Sequence, residues 1–126
     1  MYKNQIRSHK DLDIFKISFQ AAMDIFHITK SFPREEMYSL TDQIRRSSRS
    51  VSANIAEAFR KRRYEKAFIA KLSDVEAEAA ETQAWLEFSL NCNYISKDKF
   101  ERLYDNYDNI LSKIIIMISQ SKKWIL

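Results

Sequence analysis

The chain has 126 residues, 45% of them hydrophobic and 30% charged, with a formal net charge of +4. That balance excludes a disordered or fibrous chain, and the length suits one domain, residues 1–126, able to bury a core without metals or disulfides. Glycine is absent and Pro33 is the one proline, which argues against most β architectures and against the glycine-rich phosphate loops of Rossmann and P-loop sites.

The opening residues, MYKNQIRSHKDLD, contain no apolar core of signal-peptide type. Residues 1–11 are expected to form a flexible N-terminal segment. The first predicted helix covers about residues 12–30 and ends before Pro33, because proline disfavours helix in the residue ahead of it. Phe15, Phe19, Ala22 and Phe26 form one stripe on it. Ile14, Ile17, Ala21, Ile25 and Ile28 form a second, roughly 130° away at 100° per residue. One bundle core buries one broad stripe, so the second predicts either deep burial or a self-association face.

The second predicted helix, about residues 38–62, has three faces. Leu40, Ile44, Val51, Ile55 and Ala58 form a core stripe. Gln43, Ser47, Ser50, Asn54 and Glu57 form a polar stripe beside it. We expect Gln43, Ser50, Asn54 and Glu57 to be largely buried and hydrogen-bonded, fixing helix register rather than framing a substrate cleft. Arg45, Arg46, Arg49 and Arg60 occupy the far side with Ala53 and Ala56, and Arg62 and Arg63 extend the basic surface into the next connection.

The third predicted helix, about residues 64–91, repeats Phe68, Leu72, Val75, Ala79, Thr82, Leu86 and Ser89 at alternating spacings of four and three. Trp85 and Phe88 fall off that seam and hint at a further interface. Ser96 is a candidate N-cap for a fourth helix reaching about Ser121, whose seam is Phe100, Tyr104, Tyr107, Leu111, Ile114, Ile118 and Ser121. Both are heptad seams, and short connections make sequential helices antiparallel. The predicted fold is all-α, an antiparallel up-and-down four-helix bundle.

No catalytic pattern stands out. His9 and His27 are remote from each other in sequence, and neither belongs to an HExxH or Glu-x-x-His motif. Cys92 is single, so it forms no intramolecular disulfide, as suits a reducing compartment. The longest apolar run, Ile114 to Ile118, is far short of the roughly 20 residues of a membrane span. A cytoplasmic, non-enzymatic protein with no cofactor, no metal and no membrane partner is expected.

The arginine face supports two readings. Its rigid guanidinium forks suit phosphates, or they pair with Asp74, Glu78 and Glu81, or with Glu76 and Glu87, of the third helix. Under the phosphate reading Arg45, Arg46, Arg49, Arg60, Arg62 and Arg63 bind RNA or DNA by shape and charge, without base stacking, because no aromatic platform interleaves with them.

Phe32-Pro33, Glu36, Leu40, Gln43-Ile44-Arg45-Arg46, Ser50-Val51 and Asn54-Ile55-Ala56-Glu57 together resemble the hallmark segment of the bacterial four-helix-bundle proteins associated with 23S rRNA intervening sequences. Ser73, Glu76, Glu78 and Leu90 through Tyr94-Ile95 continue the likeness, which covers about residues 15–118. Two departures are Ala58 and Leu72, which stand where the family usually has glycine. The resemblance implies a bundle that assembles as a homo-oligomer, typically a pentamer. It also implies association with nucleic acid, or with a reverse transcriptase as in the accessory protein of diversity-generating retroelements. A protein-interaction scaffold with no direct nucleic-acid role is the alternative.

Overall fold

The computed structural model describes residues 6–126. Among them the chain forms four long helices, α1 (Asp13–Ile28), α2 (Leu40–Arg60), α3 (Glu65–Asn91) and α4 (Lys97–Ser119), and no strand. Contacts run from α1 to α2, α2 to α3, α3 to α4 and back from α4 to α1. The fold is therefore an all-α four-helix bundle in sequential order.

The helices meet in one core. The α3 seam enters it as expected. On α4 the buried line is Leu103, Tyr107, Ile110, Ile114 and Met117, which corrects the expected seam. Phe100, Tyr104, Leu111 and Ile118 of that seam are only half-buried, because the adjacent stripe of the helix turns inward. Ile14, Ala21 and Ile25 of α1 pack with Ile44, Val51 and Ile55 of α2, Phe68, Leu72 and Val75 of α3, and Leu103, Tyr107 and Ile114 of α4. Ala58 and Leu72, the two departures from the family pattern, are both fully buried. There a methyl and an isobutyl group fill core space and keep their helices unbroken, where glycine would weaken each helix by about 1 kcal/mol.

Helix ends follow local chemistry. Ser96 caps α4 by accepting a hydrogen bond from the Lys99 amide at 3.2 Å. After α3 the chain needs a residue with positive φ and has no glycine to supply it, so Asn93 takes φ 63°. Asparagine tolerates that region better than branched residues do. The Tyr94 amide then donates to the Ser89 carbonyl and the Asn93 amide to the Leu90 carbonyl, each at 2.9 Å, the paired bonds of a Schellman end. Helix α2 starts at Leu40, later than the pattern suggested, because Arg34–Glu36 winds as a separate 3-10 turn. Glu36 anchors that turn: its carboxylate accepts from the Leu40 amide at 3.3 Å and from the Tyr94 hydroxyl at 2.8 Å.

Of the segment expected to be flexible, residues 1–5 lie outside the described residues. His9–Asp11 forms a 3-10 turn in place of a loose lead-in. The Asp11 carboxylate accepts from the Arg7 amide at 2.7 Å and the Ser8 amide at 3.2 Å, and these bonds lower its pKa. The C-terminus folds back over the α2–α3 junction, where the Leu126 amide donates to the Arg62 carbonyl at 3.1 Å. Ser121 and Lys122 donate to the Glu65 carboxylate at 2.6 and 3.2 Å.

The two stripes of α1 are mostly absorbed inside the bundle. Ile14, Ala21, Ala22 and Ile25 are buried and Phe15, Ile17, Phe26 and Ile28 half-buried, which leaves Phe19 and Met23 exposed. No described helix is long and apolar enough to cross a membrane.

Candidate nucleic-acid interface

Each flank of α2 takes its character from the neighbouring helix. Towards α3 the fit is close: the Thr82 hydroxyl donates to Ser47 Oγ at 2.8 Å, fully buried. Towards α1, Ser18 and Ser52 share a hydrogen bond of 2.8 Å. These small hydroxyls are the buried polar contacts that set helix register, and Gln83 adds a part-buried one by donating to Asp108 of α4 at 2.8 Å.

The expected polar stripe is displaced outward from that position. Gln43, Ser50 and Asn54 are only half-buried and Glu57 is exposed, which corrects the expectation that they are largely buried. They lie about 100° from the Ile44–Val51–Ile55 core line by helical geometry, on the rim of the α2–α3 seam. Their partners there are long side chains. Lys71 pairs with Glu57 at 2.8 Å and donates to Asn54 Oδ1 at 3.3 Å, and Arg46 Nε lies 3.5 Å from Gln43 Oε1. Ser47 enters the seam because it lies nearer the core line, about 60° from it by the same geometry.

The six arginines separate into three conditions. Arg46 turns towards α3, where it pairs with Glu78 at 3.6 Å and hydrogen-bonds Glu81. Glu81 also accepts from the Trp85 indole at 3.1 Å, so Arg46 belongs to a matched charge network. This raises its pKa, the Glu81 bond being the main cause. Arg62 lies flat on Phe59, 3.7 Å from the ring centroid, and donates to the Phe59 carbonyl at 2.8 Å. Burial there lowers its pKa. Arg46 and Arg62 are structural in this arrangement.

Arg45 is partly committed. Its Nε donates to Thr29 Oγ1 at 2.8 Å and its Nη2 to the Phe26 carbonyl at 3.4 Å. That carbonyl belongs to the last turn of α1, where acceptors lack helical partners and the dipole favours a cation. Two of the five guanidinium donors are used and three remain. Arg49, Arg60 and Arg63 are exposed, and none of them forms an ion pair with a carboxylate among the described residues.

Phe26 organises a cluster that the sequence pattern did not reveal. Arg45 lies 5.0 Å from its ring centroid, Arg49 5.7 Å and Lys30 Nζ 4.8 Å. Three cations share one ring because its electron-rich face attracts each of them. Arg45, Arg46 and Arg49 also line an open groove of about 630 Å³ with Met37, Tyr38, Thr41, Asp42, Ser50 and Ala53. Tyr38 is 90% exposed. An aromatic ring therefore does stand among the arginines, contrary to the expectation from sequence. Tyr38 is seven residues before Arg45, a helical interval that carried the signal. Lys30 and Phe26 come from another helix and carried none.

Arg60 and Arg63 sit at the other end of α2. Eleven residues separate Arg49 from Arg60, about 16 Å of helix, so the basic surface consists of two separate patches. His9 packs edge-on against Phe15 and His27 against Phe26. Among the described residues no group of His, Cys, Asp and Glu is placed to hold a metal ion.

Residues 10–116 match the family described as 23S rRNA-intervening sequence protein. Among solved structures, a protein of unknown function from the S23 ribosomal protein family of Bacteroides thetaiotaomicron is 30% identical and superposes with a TM-score of 0.75, covering 83% of this chain and 97% of that one. No curated protein matches.

Proposed function

The chain belongs to the 23S rRNA-intervening sequence protein family, and from that premise we propose that it is a non-enzymatic, self-assembling bundle that binds structured RNA through the outer face of α2. One observation carries this reading: Lys30, Arg45 and Arg49 converge on Phe26 beside an open groove, without ion pairs to carboxylates among the described residues. Unpaired cations held together on one surface are suited to a polyanion, because phosphate binding releases counterions. Arg60 and Arg63 supply a second patch about 16 Å further along. Arg46 and Arg62 drop out of the binding set proposed from sequence, their donors being engaged within the fold.

The test is a titration against an RNA hairpin, duplex DNA and single strands at two salt concentrations. Affinity falls steeply with salt, and joint replacement of Arg49 and Arg60 with glutamine flattens that slope by about two. Binding that ignores both salt and the double variant would remove the proposal.

Exposed apolar surface supports the assembly part. Phe19 is 51% exposed, Phe88 57%, Ile115 55% and Ile116 54%, and the outward face of α3 carries the small residues Ala70, Ala77, Ala80 and Ala84. Apolar patches of this kind mark interfaces between proteins. Self-association in a closed ring, with five subunits as the resemblance implies, covers them and multiplies the basic patches. The same surface equally suits a scaffold that docks another protein such as a reverse transcriptase. Light scattering across a size-exclusion peak tests the assembly, since a peak at the 15.0 kDa of a monomer removes it.

A further inference from the structure

We infer that the groove on α2 accepts a single unpaired nucleotide, with Tyr38 stacking on the base and Arg45 and Arg49 holding the flanking phosphates. The inference rests on the nucleic-acid reading above and adds the chemistry of what enters the groove.

Two parts of the groove meet the two parts of a nucleotide. The basic wall is Arg49 together with the three unused donors of Arg45, and Lys30 adds positive charge at the shared Phe26 ring. Asp42 is the one acidic residue lining the groove. Tyr38 supplies an aromatic face that the bundle does not use, being 90% exposed. Isolated exposed rings are common, but this one lines the same groove as three arginines. With Arg45 and Arg49, whose charges no carboxylate pairs among the described residues, it makes the combination of ring and cation by which proteins hold unstacked bases.

The backbone that carries the ring is held in place. It lies between the Arg34–Glu36 turn and the start of α2 at Leu40. Glu36 pins this short segment by accepting from the Leu40 amide on one oxygen and the Tyr94 hydroxyl on the other, at 3.3 and 2.8 Å. A base inside a duplex keeps both faces covered by its neighbours, so the groove selects loops, bulges and single strands over continuous helix. This differs from recognition by shape and charge alone.

The experiment compares two fluorescent RNA hairpins with the same stem and backbone. One has an ordinary loop and the other an abasic loop of equal length. The full chain prefers the ordinary loop by about tenfold, the range in which base–aromatic stacking falls. Tyr38→Ala removes that preference while binding to the abasic hairpin stays unchanged. Tyr38→Phe keeps the preference, since the ring and not the hydroxyl is required. Arg49→Gln weakens both hairpins equally. If Tyr38→Ala leaves the preference intact, or wild type shows none, the nucleotide site is overturned although the phosphate reading stands. Indifference to Arg49→Gln overturns the phosphate reading itself. A groove that ignores both hairpins and binds an acidic peptide is a protein-docking surface and ends both.

Discussion

Arg46 and Arg49 stand three residues apart on one helix, yet they meet opposite surroundings. Arg46 leans over the α2–α3 seam, where Glu78 and Glu81 neutralise it. Arg49 leans towards α1, which presents the Phe26 ring and the neighbouring cations Lys30 and Arg45. The α2–α3 side is closed, with Lys71 balanced by Glu57 and Asp74 in the same way. The α1–α2 side concentrates positive charge and leaves an open groove. Two arginines on one surface of α2 thus acquire different roles because the helices beside them offer different groups.

Perturbing each side tests the contrast. The largest effect belongs to the closed seam: Leu72→Gly, which restores the residue usual in the family, removes a fully buried side chain and weakens the helix. It costs about 4–5 kcal/mol, read as a fall in the chemical-denaturation midpoint. On the open side, replacing Lys30 and Arg49 together with glutamine leaves that midpoint unchanged. It lowers RNA affinity about tenfold at low salt, which is about 1.4 kcal/mol of binding. A double variant that unfolds would make the cluster a structural one and erase the contrast.

Smaller changes sharpen it. Thr82→Val deprives buried Ser47 of its donor and costs about 1 kcal/mol, whereas Asn54→Ala on the rim stays within about 0.5 kcal/mol. Arg46→Gln loses an ion pair whose arginine side chain is 46% exposed, and exposed pairs contribute at most about 1 kcal/mol. It leaves RNA binding unaltered, and a binding loss equal to that of Arg49→Gln would show that the ion pairs open when RNA arrives.

The smallest effect is pH-dependent. Hydrogen bonding to Glu36 is the main cause that raises the Tyr94 pKa to about 12. The raised value means that the folded state holds this proton more tightly than the unfolded chain, whose tyrosines titrate near about 10. The contribution is whole below pH of about 10 and is lost as pH rises from there through about 12. The stability difference between wild type and Tyr94→Phe is therefore constant up to the lower value and shrinks above it.

The sequence by itself determined the fold. Four-three spacing on α3 placed Phe68, Leu72 and Val75 in the core, where the structure has them, because helical period decides which side chains share a face. On α4 it placed Tyr107 and Ile114 there but missed Leu103, Ile110 and Met117, since period does not say which of two adjacent apolar stripes turns inward. The Ser96 cap was equally legible, since a cap bonds within its own turn. The family was legible in the run from Gln43 to Glu57. Tertiary structure alone decided what the faces of α2 do. Periodicity gives the direction of a side chain around its helix axis but not what waits there. The placing of the α2–α3 seam left Gln43, Ser50, Asn54 and Glu57 on the rim and took in Ser47, which lies nearer the core line. The end of α1 brought Phe26 and Lys30 to Arg45 and Arg49, across 15 to 23 residues of chain, and no helical spacing records an encounter between two helices.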